Sequence, residues 1–207
     1  MLVHFLLQQP LIWNLSQLIF GDNKQKQELY RSLIVKKCKL LDFGCADGNT
    51  FPAFSDFEYT GLDIDPKAIA YASQKYAEYP NATFLCDDVL RNKLPKKSYD
   101  AILFACTGHH LPNELLFKIM PSLSRLLKTN GTLYYVDTIR DESRKSKLLA
   151  FLMSQDQGKF YKNEAFYTKH LELFAKDLNP IFHETKRISG TFMPQPTYYI
   201  AKFRKLS

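Results

Sequence analysis

Short apolar runs alternate with helix-like segments through the middle of the chain. The fourth run is apolar at almost every position, which is typical of a strand covered on both faces of a sheet. Strands that alternate with helices predict a parallel, doubly wound α/β sheet. The runs that we predict to be strands cover residues 39–43, 59–64, 82–86, 100–106 and 132–137, and a turn at Asn130 and Gly131 is predicted before the last of them.

Amphipathic segments between these runs predict helices. Asp65 and Pro66 supply an N-cap and a first-turn proline for one of them. Another is predicted to bend or split at Pro121. The last third of the chain predicts a mostly helical stretch with a break near 157–159, followed by two closing strands and a turn between them. The helices cover 24–35, 67–79, 115–127 and 145–174, the closing strands 181–189 and 198–203, and the turn 190–196.

Residues 1–20 contain no Lys, Arg, Asp or Glu. Polar residues nevertheless interrupt the run and no basic segment precedes it, so we expect neither a spanning helix nor a signal peptide. We predict a helical cover packed on the domain. Contact with a membrane surface is the minor alternative, because the polar face lacks the usual lysines and arginines. The apolar face of this helix would consist of Leu11, Ile12, Leu15, Leu18 and Ile19.

The composition suits one globular domain of 207 residues, with 45% hydrophobic and 24% charged residues. The net charge of +7 permits nucleic acid or an acidic surface as a partner. The basic residues are dispersed, however, and lack the interleaved aromatic residues of a single-strand binder, so we do not expect nucleic acid. Within the domain we predict a helical cover (1–36), a cofactor-binding core (37–137) and a substrate-facing part (138–207).

The four cysteines, at positions 38, 45, 86 and 106, form no CxxC pair and lie in or beside apolar runs. This spacing favours reduced thiols in the cytoplasm over disulfides or a metal site, and we predict no bound metal.

A turn of small residues follows the first predicted strand, and Gly44 and Gly48 allow it to approach a ligand closely. Ligands of such sheets bind at the carboxyl ends of the strands. The turn does not match a dinucleotide fingerprint, because Ala46 and Asn49 stand where glycine is needed, and it lacks the lysine of a phosphate loop. Asp42, just before the turn, would repel a pyrophosphate and suits a ligand with an ammonium group.

Further carboxylates end the next two strands. Asp63 lies 19 residues after Gly44, at an interval where a carboxylate commonly accepts hydrogen bonds from the hydroxyls of a ribose. Asp87 and Asp88 follow the third strand and are placed to hold an adenine edge. A ligand with an ammonium group, a ribose and an adenine but no phosphate is S-adenosylmethionine.

Five short motifs follow one another along the chain, at 41–48, 61–64, 86–89, 99–110 and 129–133. Their sequences and order resemble those of class I S-adenosylmethionine-dependent methyltransferases, in particular bacterial small-molecule members with a His-His pair after strand four. The resemblance implies a three-layer Rossmann-like fold with seven strands in the order 3-2-1-4-5-7-6 and strand seven antiparallel. It also implies S-adenosyl-L-methionine as the cofactor. The implied cofactor-binding residues are Asp42, Gly44, Cys45, Ala46, Gly48, Asp63, Ile64, Asp88, Val89 and Phe104.

The candidate catalytic residues are His109 and His110, which follow the fourth predicted strand. Methyl transfer needs an aligned nucleophile and removal of its proton, for which histidine is suited near neutral pH. The alternative is that one histidine caps the next helix and the other packs under the sheet. We give His109 slight preference as the base, and we expect the thiol of Cys45 to pack rather than to react.

We therefore predict an enzyme that methylates a small, apolar or aromatic metabolite. A tRNA or rRNA methyltransferase and a non-catalytic subunit that keeps the fold to bind a partner are the alternatives. Substrate contacts are expected from the amino-terminal helix and from 137–144 and 156–170. The residues expected to line an apolar pocket are Phe160, Tyr161, Phe166, Tyr167 and Phe192, with Arg140 or Lys159 holding a carboxylate or phosphate.

Overall fold

A computed structural model describes residues 23–91, 94–140, 159–174, 177–187 and 196–206. Its strands are β1 (Lys39–Phe43), β2 (Glu58–Asp63), β3 (Ala82–Cys86), β4 (Tyr99–Ala105), β5 (Leu127–Ile139), β6 (Leu178–Arg187) and β7 (Thr197–Lys205). They form one seven-stranded sheet in the order β3-β2-β1-β4-β5-β7-β6. β1 to β5 are parallel, whereas β7 runs antiparallel to both of its neighbours. The predicted strand order and the antiparallel seventh strand are confirmed.

Helices cover both faces of this sheet. They are α1 (Asn23–Leu33), α2 (Pro66–Lys75), α3 (Asn113–Leu126) and α4 (Glu164–Phe174). Asp65 caps α2 as predicted, because its Oδ1 accepts hydrogen bonds from the backbone N–H groups of Lys67 and Ala68. Two short 3₁₀ helices, Phe51–Phe54 and Gly108–His110, follow β1 and β4.

Alternate side chains of the central strands enter two apolar clusters, one on each face. Leu41 and Ile102 belong to the cluster that contains the buried face of α3. Leu40 and Leu103 belong to the other, which contains Tyr30 and Leu29 of α1. This alternation produces the three-layer arrangement that the sequence predicts.

The register brings the carboxyl ends of the parallel strands to one edge of the sheet. Phe43 pairs with both Leu62 and Phe104, so β1, β2 and β4 end side by side. β3 ends against Asp63, since Cys86 pairs with it. The turns that follow these strands therefore open onto a common edge, as expected for a ligand site in such a sheet.

Two local details differ from the expectation. α3 continues through Pro121, so the helix is not split there, because Leu116, Met120 and Leu123 hold one face of it in the core on both sides of the proline. Asn130 and the following glycine lie within β5 rather than before it. The pairing of β4 with β5 jumps from Leu127 to Thr132 at this point, so the predicted turn is a bulge in one long strand.

Several expectations lie outside the described residues: the cover formed by 1–20, the helix over 145–158, and most of the turn over 190–196. In the described parts of the chain, no helix combines the length and the apolarity that crossing a bilayer requires.

Candidate active site

The turn after β1 has left-handed backbone at three positions. Gly44 and Gly48 both have φ of +75°, and Ala46 between them has φ of +45°. The N–H groups of Gly44 and Cys45 donate to the carbonyl of Leu62 at 2.8 and 3.3 Å, which ties the turn to the end of β2.

Gly44 also marks a close approach between the turns after β1 and β4. A Cβ at this position would lie 2.3 Å from Oγ1 of Thr107, so no side chain fits. The turn that carries the two histidines therefore packs directly against the turn that the sequence assigns to the cofactor.

Asp63 joins two backbone segments at the end of β2. Its Oδ2 accepts from the N–H of Ala46 and its Oδ1 accepts from the N–H of Asp65, both at 2.9 Å. Each carboxylate oxygen has two lone pairs. Asp63 can thus hold the turn in place and still accept hydrogen bonds from a vicinal diol.

Asp42 is buried at the end of β1, where its Oδ2 accepts a short hydrogen bond from the hydroxyl of Tyr59. Burial raises the pKa of Asp42 from 3.8 to about 7, and the bonds from Tyr59 and Thr50 oppose this rise. A cationic group arriving at this carboxyl would favour its ionised form.

The segment after β3 is tied to the same edge. The N–H of Asp87 donates to the carbonyl of Asp63 at 3.0 Å. Oδ1 of Asp88 accepts from the N–H of Leu90 at 2.9 Å, and Val89 is buried in the core. Ile64, by contrast, leaves 73% of its surface exposed beside Asp63.

The thiol of Cys45 packs against β2. A Cβ on Gly61 would lie 2.8 Å from the Cys45 sulfur. Burial, together with the nearby Asp42 and Asp63, raises the pKa of Cys45 far above its ordinary value, so the thiol stays protonated. These contacts favour packing over reactivity.

The turn after β4 places the two histidines differently. Cys106 begins it with φ of +49°, and His109 is buried whereas His110 is exposed. The rings of the two histidines lie 4.2 Å apart between centroids, and Tyr161 stacks on His109 at 4.9 Å with an angle of 15°.

A buried carboxylate, Asp137 of β5, holds the ring of His109. Its Oδ1 lies 2.6 Å from Nδ1 of His109 and also accepts from the N–H of Thr138 at 3.0 Å. Its Oδ2 accepts from the hydroxyls of Tyr135 and Tyr167, each at 3.0 Å. Burial is the larger cause, and the charge of Asp137 the next, that raises the pKa of each tyrosine well above its ordinary value. Both hydroxyls therefore remain protonated and can donate.

Lys162 joins the histidine turn to the segment before α4. Its Nζ donates to the carbonyls of Gly108, Leu111 and Phe160 at 3.0, 2.9 and 2.8 Å. The N–H of Phe160 donates to the carbonyl of His109 at 2.9 Å. Burial lowers the pKa of Lys162, and the charge of Asp137 opposes this effect.

A cleft of about 360 Å³ opens beside this segment. Three of the aromatic residues that the sequence assigns to a pocket, Phe160, Tyr161 and Phe166, line it together with Arg140. Tyr167 is instead fully buried against Asp137. The remaining lining residues are Asn113, Lys162 and Asn163.

Comparison with known proteins concerns the part of the chain that forms this edge of the sheet. A protein-family model described as a methyltransferase domain matches residues 40–131, which include most of β1, all of β2 to β4 and their turns. Over these residues the chain is similar to a methyltransferase domain. This similarity supports S-adenosylmethionine as the cofactor.

Two curated relatives match part of this chain. One is 2-methyl-6-phytyl-1,4-hydroquinone methyltransferase of Synechocystis sp., 27% identical over 112 residues, or 53% of this chain and 35% of the relative. The other is malonyl-[acyl-carrier protein] O-methyltransferase 1 of Ilyobacter polytropus, 29% identical over 103 residues, or 47% of this chain and 38% of the relative. The chain thus spans little more than a third of the length of these relatives.

Solved structures share the fold of this chain over nearly its whole length. The N-methyltransferase NodS from Bradyrhizobium japonicum WM9, in complex with S-adenosyl-L-homocysteine, has a TM-score of 0.69 at 17% identity, covering 99% of this chain and 97% of its own. A SAM-dependent methyltransferase from Aquifex aeolicus gives the same values.

The residues at the cofactor edge fit S-adenosylmethionine. Oδ2 of Asp47 is buried and has no hydrogen-bond partner within the described residues, as expected of an atom that accepts from a ligand or water. Asp63 keeps free lone pairs for the ribose hydroxyls, and the exposed Ile64 offers apolar surface to an adenine ring. Asp42 is a carboxyl group that an arriving amino group would hold in its ionised form.

One residue that the resemblance assigns to the cofactor lies in the core instead. The ring of Phe104 has no exposed surface and packs edge-on against Phe43 and Tyr135, at 4.8 and 5.0 Å between centroids. The structure assigns this side chain to the core, because β4 is covered on both faces.

Sequence reasoning missed the network around His109. Asp137 directly follows the apolar run 133–136 and is the one acidic residue of β5, and that contrast is the signal that singles it out. Lys162 carries no comparable signal, because lysines are common in this part of the chain. Lys159, expected to hold an anion, is exposed and does not line the cleft.

Proposed function

We propose that this chain transfers a methyl group from S-adenosylmethionine to an oxygen or nitrogen of a small aromatic or apolar acceptor. The observation that carries the proposal is the buried His109–Asp137 pair, 2.6 Å apart, between the cofactor edge and an aromatic cleft. The curated relatives support a small acceptor, since their names describe a hydroquinone and a malonyl group on an acyl carrier protein.

The cofactor edge binds the donor through three carboxylates. Asp42 holds its amino group, Asp63 its ribose hydroxyls, and Asp88 the amino group of its adenine. Ile64 and Val89 contact the adenine ring. The turn with Gly44, Cys45, Ala46 and Gly48 passes closest to the donor, because its glycine positions present bare backbone.

When bound, the donor would supply a methyl group on a positively charged sulfur: the acceptor atom would bond to the methyl carbon as the carbon–sulfur bond breaks, with the electron pair of that bond remaining on sulfur. The acceptor must lose one proton. His109 takes that proton, and Asp137 stabilises the resulting imidazolium at Nδ1. His110, which is exposed beside it, contacts the acceptor at the mouth of the cleft.

The parts of the chain have separate tasks in this proposal. Residues 37–137 bind the cofactor, and 138–207 face the acceptor through the segment before α4.

Transfer of radiolabelled methyl groups to a panel of phenols, aromatic amines and total tRNA tests the proposal. We expect incorporation into a small phenol or amine, abolished in Asp63→Ala and retained in Asp56→Asn, an exposed aspartate paired with Arg31 and Lys37. Incorporation into tRNA alone, or none into any acceptor, would contradict it.

A further inference from the structure

We infer that the cleft beside Lys162 binds an acceptor with an anionic group, a carboxylate or a chemically similar oxyanion, and that Arg140 pairs with this group. The inference rests on the proposed function and adds the chemical class of the acceptor. The cleft is lined by Asn113, Arg140, Phe160, Tyr161, Lys162, Asn163 and Phe166.

The charge of the lining is of one sign. Arg140 and Lys162 are the charged members, and no acidic residue is among the described lining residues. Asp137, the nearest buried carboxylate, is enclosed by His109 and two tyrosines and has no exposed surface. Among the described lining residues, an anionic group therefore faces two positive charges and no negative one.

The two cations act in different ways. Lys162 is buried, and its three hydrogen bonds go to the carbonyls of Gly108, Leu111 and Phe160, so it supplies charge without a free donor. Arg140 is exposed at the cleft, and its backbone N–H donates to the carbonyl of Lys162 at 2.8 Å, which fixes its position on the wall. Its guanidinium presents the planar pair of donors that a carboxylate accepts.

The aromatic lining favours a planar body on the acceptor. Phe160 is 42% exposed, and Tyr161 extends the wall to the face of His109. An acceptor that stacks on Phe160 and Tyr161 and pairs with Arg140 extends along the side of the cleft. The end of the acceptor opposite its anionic group then points toward the turn that carries His109. A cleft of about 360 Å³ accommodates a fused two-ring compound.

The test compares two probes that differ only in charge, 6-hydroxy-2-naphthoate and 6-hydroxy-2-naphthamide. Their dissociation constants are measured by ligand-observed NMR in the presence of saturating S-adenosylhomocysteine. We expect the acid to bind about tenfold more tightly than the amide. This ratio should fall to near one in Arg140→Gln. Arg204→Gln, which removes an exposed arginine at the opposite end of the sheet, should keep it.

Equal binding of the two probes, a ratio that survives Arg140→Gln, or no binding of either at millimolar concentration would each overturn the inference. Calorimetric binding of S-adenosylhomocysteine is recorded on the same samples. It reports on the cofactor edge alone, so loss of the proposed function is distinguishable from a cleft that prefers neutral acceptors.

Discussion

The backbone N–H of Ala46 donates to Oδ2 of Asp63 at 2.9 Å, and this bond holds an alanine in left-handed backbone with φ of +45°. Alanine is disfavoured there because its Cβ crowds the backbone, whereas glycine is not. The turn after β1 is thus strained at Ala46. The carboxylate of Asp63, to which we assign the ribose hydroxyls, stabilises this strained conformation.

Replacing Ala46 with glycine should therefore stabilise the protein. We expect Ala46→Gly to raise the free energy of unfolding by about 1 kcal/mol, measured by urea denaturation. Ala70→Gly, at an exposed position within α2, is the control and should lower it by roughly 0.5–1 kcal/mol. If both changes destabilise the fold equally, the strain at Ala46 is not real.

Asp42 should make stability depend on pH. Its pKa rises from 3.8 to about 7 on folding, so the folded protein binds the proton more tightly than the unfolded chain. The stability contributed by protonated Asp42 is complete below about pH 4 and is lost as the pH rises to about 7. Asp42→Asn cannot ionise, so its stability relative to the wild type should increase between pH 4 and pH 8.

Urea denaturation of both proteins across this pH range measures that difference. A difference that stays constant with pH would show that Asp42 is already ionised in the fold.

Asp137 should affect turnover more than donor binding. Asp137→Asn removes the negative charge at Nδ1 of His109, so we expect kcat to fall by at least about tenfold while affinity for S-adenosylhomocysteine is unchanged. Tyr167→Phe removes one of two hydroxyl donors to Oδ2 and should have a smaller effect on kcat. The pH dependence of kcat should change in Asp137→Asn and not in Tyr167→Phe. An unchanged profile in both would leave Asp137 with a structural role only.

Lys162 should contribute to stability through its buried hydrogen bonds. Lys162→Met leaves three carbonyls without their donor, and we expect a loss of about 2–3 kcal/mol in the free energy of unfolding. Lys118→Met, at an exposed position of α3, should change it by less than about 0.5 kcal/mol. Equal effects of the two substitutions in thermal denaturation would mean that the Lys162 bonds are not formed.

The strand ends and turns at the edge where we place the cofactor could be predicted from the sequence, because each of their signals is local. The run from Asp42 to Gly48 encodes a strand, its end and a left-handed turn within a few residues, and Asp63 follows at a characteristic interval. The order of the strands could be predicted only from the resemblance to the methyltransferase family. The pairing of β7 with β5 joins segments that are far apart in the sequence, so no short stretch of residues encodes it.

The acceptor side could not be predicted in the same way. His109 meets Asp137 across 28 positions and Lys162 meets Gly108 across 54, so these contacts depend on how the strands and α4 pack. Phe104 shows the opposite limit. Its place near the end of β4, paired with Phe43 of β1, matches that of a cofactor-binding residue, but β4 is covered on both faces and the ring of Phe104 is fully buried.

The central claim is that the turn after β1 receives a cationic amino acid tail and not a phosphate chain. Calorimetric titration with S-adenosylhomocysteine, 5′-methylthioadenosine, NAD and ATP tests it most directly. We predict that S-adenosylhomocysteine binds in the micromolar range, that methylthioadenosine, which lacks the amino acid tail, binds more weakly, and that Asp42→Ala removes the difference between them. Binding of NAD or ATP to this turn more tightly than S-adenosylhomocysteine would contradict the account.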